Sequence, residues 1–323
     1  MATSKFGCVA GVVVLFSLAG CDADDTLEQG VDEDGVVQAR NVVINDWRLN
    51  DWRLNDWRLN GSQLNDWRLN GDGPTSWIQL VDFWLPNGGT AFTGTLQGGM
   101  LKIDTGRGWL SGYGVENTII TYQVTTDGVT AQKEVWLKWA SELGVDLGVW
   151  SYVADLRTNG GPWQPLCVDA TGKRQDTLLL AGVWDPEDGA KVSPQPDNIV
   201  TFACRSAALA KCVEFGYRPW ASKNGTALAN HHQACTRMVR ADYCGDGQTH
   251  TVTGTSIHVL DQLGIQKKAP GVSYAVEAEW GPNGATCLNP QNTRQPNQTI
   301  GCSIPACGTA FASGGLMQSG KLL

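Results

Sequence analysis

Histidine and methionine are scarce in this chain, four of each among 323 residues, and several motifs that define whole classes of chemistry are missing. No G-x-S-x-G, HExxH or EF-hand pattern occurs, which removes nucleophile-elbow hydrolases, zincin-type metalloproteases and EF-hand calcium proteins. Basic residues are outnumbered, 24 Lys and Arg against 32 Asp and Glu, for a formal net charge of -8. A nucleic-acid partner would require a basic face to neutralise phosphates, so none is expected. The apolar run VAGVVVLFSL, residues 9–18, is too short to cross a hydrocarbon core of ~30 Å. Gly106, Gly108, Gly112 and Gly114 lack the spacing of a phosphate-cradling loop. No cofactor is expected.

What is present is a chain long enough for two domains, with 42% hydrophobic residues and 14 Trp, a composition that folds rather than stays disordered. Its acids are concentrated early: Asp22, Asp24, Asp25, Glu28, Asp32, Glu33 and Asp34 face only Lys5 and Arg40 within residues 1–40. Lys5, the apolar run and the small residues after it have the layout of an export signal over residues 1–20. Leu18-Ala19-Gly20-Cys21 resembles the lipobox of bacterial lipoproteins. That resemblance implies cleavage before Cys21 and acylation of its sulfur and new amine, and two or more acyl chains make a stable membrane anchor. An ordinary signal peptide with an incidental Cys21 is the alternative.

Cysteine usage agrees with export. Beyond Cys8 and Cys21 the chain holds Cys167, Cys204, Cys212, Cys235, Cys244, Cys287, Cys302 and Cys307, all in the C-terminal half. An even count in an exported domain predicts a framework of four bridges, with about 105 possible pairings.

Residues 21–44 have the composition of a solvated acidic tether. NDWRL then recurs at 45–49, 50–54, 55–59 and 65–69, with NGSQL at 60–64. A five-residue step rotates a helical side chain by about 140° and flips a strand side chain, so neither structure keeps one face. Turns at each Asn would keep every Leu equivalent, and in period the segment 45–71 resembles pentapeptide-repeat proteins. It departs from them in having Arg before each Leu. An ordered cap on the next domain, a flexible stalk and a short solenoid all stay open. Trp47, Trp52, Trp57 and Trp67 would either cover a neighbouring sheet or contact an envelope glycan or protein, since indole faces stack on sugar rings.

Residues 72–150 are rich in strand signals: 76–84, 90–103, 117–126, 133–140 and 147–156 are β-branched or aromatic. Asn87-Gly88-Gly89 and Asp127-Gly128 separate some of them as turns. Ile120, Tyr122 and Val124 alternate with Ile119, Thr121 and Gln123 as in a half-buried strand. From 151 to 323 the cysteines appear along with two helices. One lies within 202–220 and ends before Pro219; the other covers about 226–243, with Gly245 as its cap. Cys212 on one and Cys235 on the other suggest an inter-helix bridge. The fold class is therefore α+β: a β-rich N-terminal domain, sandwich or barrel, followed by a disulfide-stapled C-terminal domain with two helices.

TFACRSAALAKCVEFGYRPW, ACTRMVRADYCGDGQTHTVTGTSIHVLD and AEWGPNGATCL together resemble the ADYC domain, a bacterial family named for the tetrapeptide found here at Ala241-Asp242-Tyr243-Cys244. The resemblance runs from roughly 150 to 323. It implies exported, Cys-rich proteins, often lipoproteins with short N-terminal repeats, and it brings no activity or catalytic residues.

Chemistry, if present, would use Asp242 with His250 or His258, since a carboxylate can orient an imidazole poised near neutral pH. His231 and Cys235, one helical turn apart, would offer two zinc ligands unless Cys235 is bridged. Asp242 with Asp246 and the turn Asp185–Gly189 offer oxygens to calcium. The expected function is a binding or structural module, lipid-anchored in the bacterial cell envelope; the alternative is an envelope hydrolase using Asp242 with His250 or His258.

Overall fold

The computed structural model describes residues 77–322 except 92, 127–128, 144–147, 170, 183, 186–187, 192–199, 253–254, 269–272 and 296, together with 30–31, 37–38 and 42–44. Cys21, the repeats at 45–71 and Trp47, Trp52, Trp57 and Trp67 lie outside the described residues.

Hydrophobic alternation builds most of the chain into antiparallel sheet. In chain order the main strands are β1 (Val42–Ile44), β2 (Trp77–Trp84), β3 (Thr90–Ala91), β4 (Thr93–Gln97), β5 (Met100–Asp104), β6 (Trp109–Ser111), β7 (Thr118–Thr126), β8 (Val129–Glu142), β9 (Trp150–Thr158), β10 (Thr177–Ala181) and β11 (Val200–Cys204). Helices α1 (Ala208–Glu214) and α2 (Ala229–Arg240) follow, and then β12 (Ser256–Asp261), β13 (Tyr274–Gly281), β14 (Gly284–Leu288) and β15 (Met317–Leu322).

The large sheet runs β11-β10-β9-β8-β7-β2-β3, with Gln164–Pro165 added beside β9. As the alternation predicts, Ile120 and Tyr122 on β7 face inward. With Val135, Leu137, Tyr152 and Leu179 they pack on Leu101 and Ile103 of a three-stranded sheet, β4-β5-β6. The Tyr152 hydroxyl, accepting from Leu101 N at 2.8 Å, ties the two layers. The large sheet is open, so sandwich rather than barrel is realised. On the reverse face of its β10–β11 end, Leu178, Leu180 and Ala203 are covered by Leu209 and Val213 of α1. A second sheet, β14-β13-β15-β12-β1, packs against α2 through Ile257, Val259, Trp280, Met238 and Val239.

The α+β class stands, with two helices among the described residues and four bridges: Cys167–Cys204, Cys212–Cys235, Cys244–Cys302 and Cys287–Cys307. The inter-helix bridge is one of them. Several expectations need correcting. The tether expected over 21–44 holds paired strands: Gly30–Val31 pairs with Val37–Gln38, and β1, a β-branched run, is the edge of the second sheet. A boundary at 150 would cut the large sheet, which continues through β9, β10 and β11. The start of the first expected helix, residues 202–204, instead belongs to strand β11, whose partner β10 fixes it as strand through the register Leu179↔Phe202.

Gly245 is not the cap of α2. The helix ends one turn earlier at Ala241, left-handed at φ 52. Ala241 N donates to Met238 O at 3.0 Å and Asp242 N to Arg237 O at 2.9 Å, the paired closure of a Schellman turn. Gly245 answers a different demand. A Cβ placed there would lie 2.0 Å from Asn283 O, and one on Gly284 would lie 2.7 Å from Tyr243 O. The two backbones cross in contact, joined by Ala285 N donating to Tyr243 O at 2.8 Å, and glycine is what permits that approach.

Candidate functional site

Two places concentrate polar and aromatic side chains: the interior around the tetrapeptide 241–244 and the outer face of the large sheet. The first is sealed. Asp242 Oδ2 accepts from Arg237 Nη1 at 2.6 Å and Gly247 N at 3.2 Å, with Arg240 Nη1 at 3.5 Å. Arg237 also donates to the carbonyls of Pro282 and Asp188. Tyr243 stacks on Trp280 with ring centres 5.3 Å apart and donates to Glu277 Oε1 at 2.6 Å. Arg294 grips both oxygens of Glu277, at 2.9 Å through Nε and 2.8 Å through Nη2, while Ser319 Oγ donates to Oε2 at 2.7 Å. Burial pushes the Glu277 carboxyl up; the Arg294 charge and the hydrogen bonds from Arg294, Tyr243 and Ser319 outweigh it and hold the group below the usual carboxylate range. Burial, and the Glu277 charge after it, raise the Tyr243 hydroxyl. The partners come from several elements, α2, β13, β15 and the loops between them, so the tetrapeptide works as a junction: Ala241 turns the chain out of α2, Asp242 and Tyr243 bind it to neighbours, and Cys244 bridges to Cys302.

The acid-base candidates are not assembled into one constellation. Asp242 is committed to Arg237. His250 lies close by, but its Nδ1 is 3.1 Å from Ala241 O and its ring is tilted against Tyr243. His258 sits on β12, stacked on Tyr274 at 5.9 Å. Cys235 is bridged to Cys212, so His231 and Cys235 do not form a ligand pair; His231 stacks instead on Tyr217 at 6.4 Å. Tyr217 donates to Asp261 at 2.9 Å. The calcium candidates serve their own turns: Asp246 Oδ1 accepts from Gln248 N and Asp188 Oδ1 from Ala190 N. Among the described residues no cluster of three or more His, Cys, Asp or Glu is placed to hold a metal.

The outer face of the large sheet presents exposed tryptophans. Because Phe83, Ile120, Val135 and Ala154 point into the core, the alternate residues point away from it. They align across strands in two rows. One is Trp84↔Ile119↔Trp136↔Asp155↔Pro165; the other is Asp82↔Thr121↔Glu134↔Arg157. A bulge at Lys138, between Leu137 and Trp139, turns Trp139 outward as well. Trp84 is 50% and Trp139 56% exposed, and Trp136 is half-buried beside Trp163 at 5.6 Å.

The cations on this face are paired. Arg157 binds Glu134 through both oxygens, at 2.5 and 2.8 Å, and lies 4.4 Å from the centre of the Trp163 ring. Asp155 takes Lys138 at 2.9 Å and also Arg174. Burial raises its carboxyl, but the bonds and charges of Arg174 and Lys138 prevail and lower it.

Sequence reasoning recognised 133–140 as a strand but did not assign its faces. The available signal was KEVW, in which Glu134 and Trp136 alternate with Val135. It is lost at the bulge, where Trp136 and Trp139 stand three residues apart.

No helix among the described residues is long and apolar enough to cross a membrane. Comparison with curated proteins and with solved structures finds no match. The model of the ADYC domain matches residues 113–294, from the turn before β7 through both helices and the tetrapeptide to Arg294. That is more than half of the 323 residues, beginning earlier and ending earlier than the expected 150 to 323. The chain belongs to the ADYC domain family.

Proposed function

We propose that this chain is a lipid-anchored protein of the bacterial cell envelope, acylated at Cys21, that acts as a binding or structural module. The observation that carries the binding role is the group of tryptophans on the outer face of the large sheet, Trp84 and Trp139 exposed and Trp136 half-buried. Isolated exposed apolar residues are ordinary on protein surfaces, but aromatic side chains aligned across neighbouring strands are the usual material of binding surfaces. Four disulfides support an oxidising compartment. The hydrolase alternative draws no support from Asp242, whose carboxylate is engaged by buried arginine.

Two measurements test this. Mass spectrometry of the native product should find a diacylglycerol-modified, N-acylated Cys21 at the mature N-terminus, and Cys21→Ala should move the protein out of the membrane fraction. Retention of the purified protein on isolated envelope material should fall for Trp84→Ala and Trp139→Ala. An unmodified Cys21 would end the anchoring claim, and undiminished retention would end the claim for this face.

A further inference from the structure

We propose that the outer face of the large sheet binds a neutral, extended oligosaccharide, whose rings lie on Trp84, Trp136 and Trp139 and whose hydroxyls meet Asp82 and Thr121. This rests on the binding reading above and names its ligand. Indole faces are apolar plates that pack on the C–H face of a pyranose. Trp84 and Trp136 are two strands apart in one register row, hence roughly 10 Å apart, a span that accommodates a disaccharide unit of an extended chain. Trp139 prolongs the platform along β8, and among the described residues α1 covers only the β10–β11 end of this face.

The charges of this face argue against an anionic ligand. The cations of this face, Lys138, Arg157 and Arg174, are each already held by Asp155 or Glu134. A polyanion would have to displace those carboxylates, whereas a neutral polyol leaves the pairs intact and can bond to their free lone pairs. The second row carries hydrogen-bonding groups that are unpaired within the described residues. Thr121 is only 4% exposed, yet its Oγ1 and the Oδ1 of its cross-strand neighbour Asp82 make no hydrogen bond within the described residues. Buried polar atoms are as a rule paired, and a hydroxyl both donates and accepts, so a ligand hydroxyl admitted as the side chains of this row part would satisfy both atoms.

The test is calorimetric titration of the full-length chain in a zwitterionic, sugar-free detergent with β-1,4-linked hexasaccharides of glucose and of N-acetylglucosamine, and with heparin as a polyanion. At least one neutral hexasaccharide should bind, with an affinity unchanged by added salt. Trp84→Ala and Trp139→Ala should each weaken it by about tenfold or more, while Trp109→Ala, an exposed tryptophan on the small sheet, should leave it unchanged. No heat with either neutral sugar, equal affinity in the Trp84 and Trp139 variants, or salt-sensitive binding of heparin in preference would overturn the proposal. If the sugars fail while the same variants lose retention on isolated envelope, the ligand is a protein and only this inference falls. If retention is also undiminished, the binding reading falls with it.

Discussion

Arg237 Nη1 stands 2.6 Å from Asp242 Oδ2 with both side chains shut off from water, 2% and 0% exposed. The arginine is the last-turn residue of α2, and the carboxylate lies just past the helix end, where cations and carbonyls converge. Two charges in such a place are tolerable only together. Removing the carboxylate strands a buried guanidinium, and breaking a buried pair from one side costs about 3–5 kcal/mol. Asp242→Ala should therefore lose about that much stability in urea denaturation, and Asp242→Asn, which keeps an acceptor for Gly247 N, should lose less. An alanine variant as stable as the parent would mean that the most characteristic acid of the tetrapeptide is not structural.

Gly245 gives a sharper steric prediction. Its φ of +70 already disfavours any side chain, and the Cβ of alanine would fall 2.0 Å from Asn283 O. The obstacle is backbone pinned by the Ala285 N to Tyr243 O bond, so it cannot swing aside as a flexible side chain would. Gly245→Ala should cost more than the ~1 kcal/mol of an ordinary left-handed glycine replacement. Gly172→Ala, also left-handed but with open space around it, should cost only that ordinary amount. Equal losses in the two variants, read from thermal unfolding, would show that the crossing yields.

What the sequence disclosed followed from local periodicity. β7 and α2 were legible because their patterns are uninterrupted: Ile120 and Tyr122 recur along the strand and His231, Cys235 and Met238 along the helix, and all five are buried. The stretch 202–204 was misread because Phe202 also falls at helical spacing from Leu209, and only pairing with β10 decides the matter. Gly245 was misread because a glycine after a helix has two explanations, and the second involves Asn283, which no local window contains. The grip of Arg294 on Glu277 and the bridges Cys167–Cys204 and Cys244–Cys302 are likewise relations beyond any local window. Trp84 and Trp136 share a face only through β7, which lies between their strands.

His232 should make the fold sensitive to acid. Burial inside α2 lowers its imidazole from 6.5 to about 4, with a backbone bond to Leu209 O opposing and the Lys191 charge adding a little. The unfolded chain binds this proton more readily than the folded one. The stabilising contribution is thus complete above pH 6.5, shrinks as pH falls, and is gone once pH passes below about 4. The full loss corresponds to about 3 kcal/mol. His231, lowered in the same direction by burial, adds to it. Urea denaturation between pH 7 and 4 should show a steeper decline for the parent than for His232→Gln, and parallel curves would contradict the assignment.

The bridge Cys244–Cys302 closes 58 residues, against 23 for Cys212–Cys235 and 20 for Cys287–Cys307. If bridges act by restricting the unfolded chain, the longest loop gives the largest effect, about 4 kcal/mol here against about 3 for the shorter two. Cys244 also sits between Tyr243, bonded to Glu277, and Gly245, pressed on Asn283. Loosening it therefore frees both the junction and the segment after Arg294. The paired replacement Cys244→Ser with Cys302→Ser should destabilise more than Cys287→Ser with Cys307→Ser, and thiol titration of the denatured, unreduced parent should find none of these eight cysteines free. The reverse order of stability would mean that strain or contacts in the folded state, rather than loop entropy, set the worth of each bridge. Several free thiols would remove the framework, and with it the argument for an oxidising compartment.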